Sequence, residues 1–219
     1  MRWTEHFYAF DTESTGTDPT TARPVSVALV EFRERQIVDS RLWIVDTGVE
    51  CPPEAEAVHG ITAERIAAEG LAPGAVIEAL LGAATEDLPW VAHNVRYDAT
   101  LLATEAERWG LTWPDLHYID TLVIDRHLDK YRSGGRKLGT VCEHHGVSLT
   151  DAHDATADAT AAGLLAIALG DLYPTIGRMS PARLHDAQVG WFRQWKYGFN
   201  EFLTRKHDKP ELVEGEWPR

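Results

Sequence analysis

The chain has 219 residues, 44% of them hydrophobic, enough for one sizeable core with an appendage. Its formal net charge of −13 excludes a protein that coats nucleic acid through a broad cationic surface, but not one that grips a strand end beside bound divalent cations. Cys51 and Cys142 stand alone, which excludes a disulfide framework and a paired-cysteine zinc site, and the lack of a basic-then-apolar leader or of an apolar run of about 18 residues sets the expectation of a soluble cytoplasmic protein with no membrane partner.

In chain order, residues 7–10 are an apolar run ending at Asp11, and TESTGTDPTT supplies turn residues after it, so a strand running into a loop is expected. Residues 24–32 and 36–45 are rich in β-branched side chains, are separated by Arg33, Glu34 and Arg35, and complete an antiparallel meander of three strands. A loop rich in Pro and Glu leads to HGIT, and helices are expected from about residue 63 and over 74–84. Then come a buried strand at 88–92, a helix over 96–109 and a short strand including Tyr118 and Ile119. A helix over 138–145 closed by Gly146 and a long Ala-rich helix over 154–169 follow. A meander followed by strands that alternate with helices specifies an α/β fold whose mixed central sheet, antiparallel and then parallel, is flanked by helices.

ALGDLYP closes this unit, so the expected division is a catalytic domain over 1–172 and a C-terminal helical extension over 173–219. Ser180 and Pro181 form a helix start, and Leu184, Gln188, Trp191, Trp195, Phe199 and Phe202 recur at helical spacing along one aromatic face. That face is expected to fold back onto the protein, with a homodimer or polymerase contact as the alternative.

Three short strings carry the chemistry. Asp11 and Glu13, two apart at a strand end, share a face and can address the same cations, although such a pair is also an ordinary solvated edge. His93 and Asn94 end the buried strand, and Asp98 falls in the first turn of the next helix, as a ligand or as compensation of the helix dipole. His153 stands at the entrance of the Ala-rich helix, where Asp154 and Asp158 lie four apart on one face as rival ligands. Four carboxylates and an imidazole gathered from distant segments are the parts of a two-metal phosphodiester hydrolase. The basic, glycine-containing segment 126–137 reads equally as a phosphate-contacting loop or a solvated connector.

On these motifs the sequence, over roughly residues 6–170, resembles the DnaQ-like 3′–5′ exonucleases, in the DEDD subclass with a histidine in its third motif. The family's first motif matches Asp11, Glu13, Ser14, Thr15 and Gly16, its second matches His93, Asn94 and Asp98, and its third matches His153 and Asp158, which selects Asp158 over Asp154. PEAEAVHGIT is similar to the family's loop that holds the terminal nucleotide and nominates Glu54 and His59.

The resemblance implies a ribonuclease H-like fold and release of nucleoside 5′-monophosphates from 3′ ends of single-stranded or frayed DNA. It implies that Asp11, Glu13, Asp98 and Asp158 hold two Mg²⁺ or Mn²⁺ ions about 3.5–4 Å apart. His153 is the implied general base, since imidazole changes charge near neutral pH. Ser14, Thr15, Gly16, Glu54, His59, Asn94 and Tyr97 are the expected substrate contacts, Tyr97 by packing on the terminal sugar or base. RNA or short-oligonucleotide hydrolysis by the same subclass is the alternative, and a noncatalytic nucleic-acid-binding module is a third reading. Ser14 favours DNA, because the oligoribonucleases tend to have Met there. The aromatic extension does not resemble the flexible polymerase-binding tail of bacterial proofreading subunits.

Overall fold

The computed structural model describes residues 2–84, 88–150 and 152–218. Strands β1 (His6–Ser14), β2 (Pro24–Arg33) and β3 (Gln36–Ile44) form the expected antiparallel meander. β4 (Trp90–Ala92) pairs with β1 in parallel and β5 (Tyr118–Asp120) with β4, which gives the mixed order β3-β2-β1-β4-β5. β1 is longer than the apolar run suggests. It continues through Asp11 and Glu13, and its register with β2 shifts only between Glu13 and Ser14, so the acidic pair lies within the strand rather than in the loop after it.

The alternation of β1 and β2 divides the core into two layers. Phe10, Val27 and Leu29 face a layer built from α3 (Pro73–Ala83) and α4 (Val95–Arg108), with Val76, Ile77, Leu80 and Leu102 packed against Trp90. Phe7, Ala9, Ala28, Val30 and Phe32 face the other layer, made mainly by α7 (Ala155–Leu172). Gly163 lets α7 lie this close: a Cβ there would come within 2.4 Å of the Phe32 ring. By length and composition α7 could cross a membrane, contrary to the expectation that no stretch would qualify, but the sheet covers its inward side from Ala155 to Gly170.

Three helices depart from the sequence reading. The loop expected before HGIT is helix α1 (Pro53–His59), with Pro at its start, Glu54 and Glu56 in the first turn and Gly60 closing it at φ 67°. α2 (Ala63–Glu69) follows it. α5 (Thr121–Leu128) starts directly from the end of β5, and α8 (Pro174–Gly177) is a single turn after α7. α6 (Leu138–His144) precedes α7 as anticipated.

The last helix, α9 (Pro181–Lys206), packs on α5 and β5. Leu184, Gln188 and Phe192 are buried, and Trp191 and Trp195 pack against the core. Further along, Phe199 and Phe202 continue a stacked row from Trp195 and are exposed. Side chains of α9 serve the edge of β5 as a neighbouring strand would. His185 Nδ1 accepts from the Tyr118 N–H at 2.9 Å, Gln188 Oε1 accepts from the Asp120 N–H at 2.7 Å, and Gln188 Nε2 donates to the Tyr118 carbonyl at 3.0 Å. The tail returns along α9 and inserts Trp217, whose Nε1 donates to Asp120 Oδ2 at 3.0 Å.

Candidate active site

The chemistry-bearing residues meet at the carboxyl end of β1. Period-two alternation places Asp11 and Glu13 on the face of Phe7 and Ala9, the one covered by α7. α7 begins beside them. Asp154 is its N-cap, with Oδ1 accepting from the N–H groups of Thr156 and Ala157 at 3.0 Å each, so the cap occupies that carboxylate. Asp158, one turn on, accepts from the His153 N–H at 3.1 Å through Oδ2. His153 has left-handed backbone geometry, φ 73°, and is exposed; candidate ligand atoms of Glu13, His153 and Asp158 all lie within 4.8 Å of one another.

Asp98 arrives from the other face of the sheet. It stands in the first turn of α4, is 4% exposed, and its Oδ1 accepts from Thr12 twice, from N–H at 3.0 Å and from Oγ1 at 2.6 Å. Asn94, with φ 76°, turns the chain from β4 into α4, and its N–H donates to Asp120 Oδ1 at 3.0 Å. Two helix N-termini therefore point at the cluster, and their dipoles favour negative charge there.

That help is incomplete. Burial, followed by Asp98, Asp158 and Glu13, pushes Asp11 well above the usual carboxylate range. Burial, then Asp158 and Asp98, pushes Glu13 up to about 8. Asp98 is raised to about 7 by burial, against the lowering effect of its bonds from Thr12. Burial also raises Asp158, opposed by the His153 N–H. The charges acting on Asp11 and Glu13 are other carboxylates.

The expected substrate contacts fall into two places. Ser14 Oγ donates to the Gly16 carbonyl at 2.9 Å, and the Tyr97 hydroxyl makes short contacts with both. Thr15 pins the next loop, its N–H donating to the Arg23 carbonyl and its Oγ1 accepting from the Arg23 N–H, both at 2.9 Å. Asn94 and Tyr97 also line a shallow cavity of about 390 Å³ with Thr17, Asp18, Thr20 and Arg96. Glu54 and His59 lie apart, on α1. Glu54 is exposed; His59 Nδ1 accepts from the Ile61 N–H at 3.0 Å, and burial lowers its pKa, so a neutral ring holds this turn. Among the described residues no hydrogen bond joins either one to the carboxylates.

His93 is not in the cluster. Its Nε2 donates to the Arg136 carbonyl and its Nδ1 accepts from Thr121 Oγ1, both at 2.8 Å, as a ring kept neutral by burial. Sequence reasoning missed Thr12 and Asp120, which hold Asp98 and Asn94. A helix-capping Asp after a short strand was the available signal for Asp120.

An exonuclease family model, RNase_T, matches residues 8–165. The DNA polymerase III PolC-type protein of Lacticaseibacillus paracasei is 29% identical over 163 residues, 74% of this chain and 11% of that protein. The 3′-5′ exonuclease DinG of Staphylococcus epidermidis is 25% identical over 164 residues, 74% of this chain and 18% of that protein. The chain thus spans a small share, 11% and 18%, of the length of these curated relatives. Among solved structures, E. coli exonuclease I in complex with a dA16 oligonucleotide superposes with a TM-score of 0.68 at 21% identity, over 84% of this chain and 42% of that one. Exonuclease X in complex with 5′ overhanging duplex DNA gives 0.64 at 19%, over 83% and 99%. These likenesses show a shared fold, consistent with the ribonuclease H-like architecture that the motifs imply. With the family model spanning most of its length and the motif carboxylates gathered at one end of its sheet, this chain belongs to the exonuclease family.

Proposed function

We propose that the chain is a metal-dependent 3′–5′ exodeoxyribonuclease that shortens single-stranded or frayed DNA from a free 3′-OH and releases nucleoside 5′-monophosphates. The observation that carries this reading is the convergence of Asp11, Glu13, Asp98 and Asp158, with His153 at the rim, in a cluster whose members repel one another. An all-oxygen, acidic donor set of this kind fits hard divalent cations, Mg²⁺ or Mn²⁺. Asp11, Glu13 and Asp158 would hold two ions, and Asp98 would complete the site through Oδ2, since Thr12 occupies its Oδ1. Such ions, when bound, supply positive charge at the scissile phosphate and activate water.

The chain's own residues do the rest. His153, whose backbone is fastened to Asp158, accepts the proton of the attacking water. Ser14, Thr15, Gly16, Asn94 and Tyr97 border the same sheet end and position the terminal nucleotide, the hydrogen-bonded Ser14–Gly16–Tyr97 group forming one wall. Glu54 adds a polar contact from α1, and His59 steadies the turn that carries it. Splaying a terminal nucleotide into such a site costs least at an unpaired end. This reading places the protein in the cytoplasm with DNA, as a catalytic unit over 1–172 and a helical extension over 173–219 whose exposed Phe199 and Phe202 offer a polymerase or a second copy a contact. The similarity to a segment of PolC-type polymerases supports it.

The test incubates the purified chain with 5′-labelled linear DNA, circular single strands and RNA of matched sequence, with Mg²⁺ or with EDTA. A ladder receding from the 3′ end of the DNA, abolished by EDTA, is expected. Efficient cutting of circles would reveal an endonuclease, and faster loss of RNA would move the substrate to RNA.

A further inference from the structure

Residues 129–137 join α5 to α6, and the fold sorts their cations into two sets. Arg132 and Arg136 turn inward onto Asp125, which is 1% exposed: Arg132 Nη2 lies 2.8 Å from Oδ2, and Arg136 Nη1 meets the same oxygen. Arg136 also donates to the carbonyls of Asp129 and Arg132, so guanidinium groups fasten the loop to itself. The base of the loop is tied to the second motif, because the Arg136 carbonyl accepts from His93 Nε2 at 2.8 Å. An anchored segment thus adjoins the strand end from which the second motif leads into α4.

Lys130, Tyr131 and Lys137 turn outward from this frame and are exposed. Tyr131 is 88% exposed, more than any other large apolar side chain among the described residues, and Lys130 Nζ lies 5.5 Å from its ring centroid. A connector gains nothing by holding an aromatic ring in water on a loop braced by buried ion pairs. A ring face with an ammonium beside it suits one occupant: it stacks a base while the cation meets the adjoining phosphate. In a chain of net charge −13, a polyanion approaches most favourably where such cations collect.

We propose that Lys130 and Tyr131 form a contact for the single-stranded DNA just upstream of the nucleotide being removed, with Tyr131 stacking on a base and Lys130 meeting a phosphate. The location rests on the exonuclease reading above; the contact itself can be measured without it. Binding of a fluorescent oligothymidylate to the full chain in EDTA should weaken about tenfold in Tyr131→Ser, the scale of one lost base stack, and persist in Tyr131→Phe. Lys130→Ala should lower the salt dependence of binding by about one phosphate contact. In Mg²⁺, Tyr131→Ser should raise KM for the oligonucleotide at constant kcat. It should leave unchanged the hydrolysis of thymidine 5′-(p-nitrophenyl phosphate), which has no upstream strand. Equal strand binding by wild type and Tyr131→Ser, or no strand binding by wild type, overturns the contact. So does a parallel loss on the mononucleotide ester, which would mark a structural role. Tyr131-dependent binding without any cleavage supports the contact and overturns only the exonuclease reading.

Discussion

Glu105 and Glu13 are both carboxylates drawn out of water, yet the chain treats them in opposite ways. Glu105 is fully buried and receives Arg23 through two bonds of 2.7 Å, Arg108 at 2.9 Å and the Trp109 indole N–H at 3.0 Å. Burial alone would raise its pKa, but these partners hold it below the usual value. Asp125, under its two arginines, is built the same way. At the end of β1 the surroundings are reversed: burial, Asp158 and Asp98 push Glu13 up to about 8, and among the described residues no arginine or lysine is hydrogen-bonded to it. Guanidinium groups neutralise the carboxylates that brace the fold, and the site leaves its charge for something from outside to neutralise.

Removing a charge should therefore have opposite consequences in the two places. The largest effect belongs to Asp11→Asn and Asp158→Asn, each expected to abolish hydrolysis while raising the melting temperature in EDTA, a gain on the order of 1 kcal/mol from relieved repulsion. A variant that keeps wild-type turnover would remove that residue from the site.

His153→Ala should lower kcat by roughly 10²–10⁴-fold with cation affinity preserved, as loss of a proton acceptor predicts. Calorimetric titration with Mn²⁺ decides this, since a collapse of affinity would make His153 a ligand beside Glu13 and Asp158. Glu105→Gln, in contrast, should destabilise by about 3 kcal/mol, the low end for breaking a buried ion pair because Arg23 and Arg108 are partly exposed. Denaturant unfolding that shows no loss would end the contrast between the two surroundings.

The smallest effect is a pH dependence. The pKa of Glu13 in the folded chain, about 8, stands above its ordinary value of 4.5, so the folded state binds the extra proton between those limits. Its contribution to stability is complete below the ordinary value and lost as pH rises through 8, and Asp98 acts in the same direction through about 7. In EDTA the melting temperature should fall from pH 5 toward pH 8.5, roughly over the range of these pKa shifts. Mg²⁺ should restore it mainly at the alkaline end, and Glu13→Gln should flatten the slope. A profile that rises with pH would contradict the assignment.

Much of this was legible in the sequence, for identifiable reasons. Asp11, Glu13, Asp98 and Asp158 sit in strings whose spacing survives in one dimension, and the α9 stripe from Leu184 to Phe202 announces its helix by period. α1 hid in a segment that reads as a loop by composition, although Pro53 and Gly60 are ordinary start and stop residues. α5 hid because Asp120 both ends β5 and caps the helix, leaving no connector to read. The direction in which Arg132 and Arg136 point was not legible, since it depends on Asp125, a carboxylate that looks like any other until the fold buries it.

The union of α9 with the edge of β5 also bears on how the chain is made. Tyr118 leaves the ribosome 70 residues before Gln188, the side chain that will occupy its carbonyl. For that interval the sheet has an unguarded border able to recruit any extended peptide nearby. A product that ends between Asp158 and His185 carries all four clustered carboxylates and an open edge at once, so the helix that closes the border shields the sheet as well as completing the core.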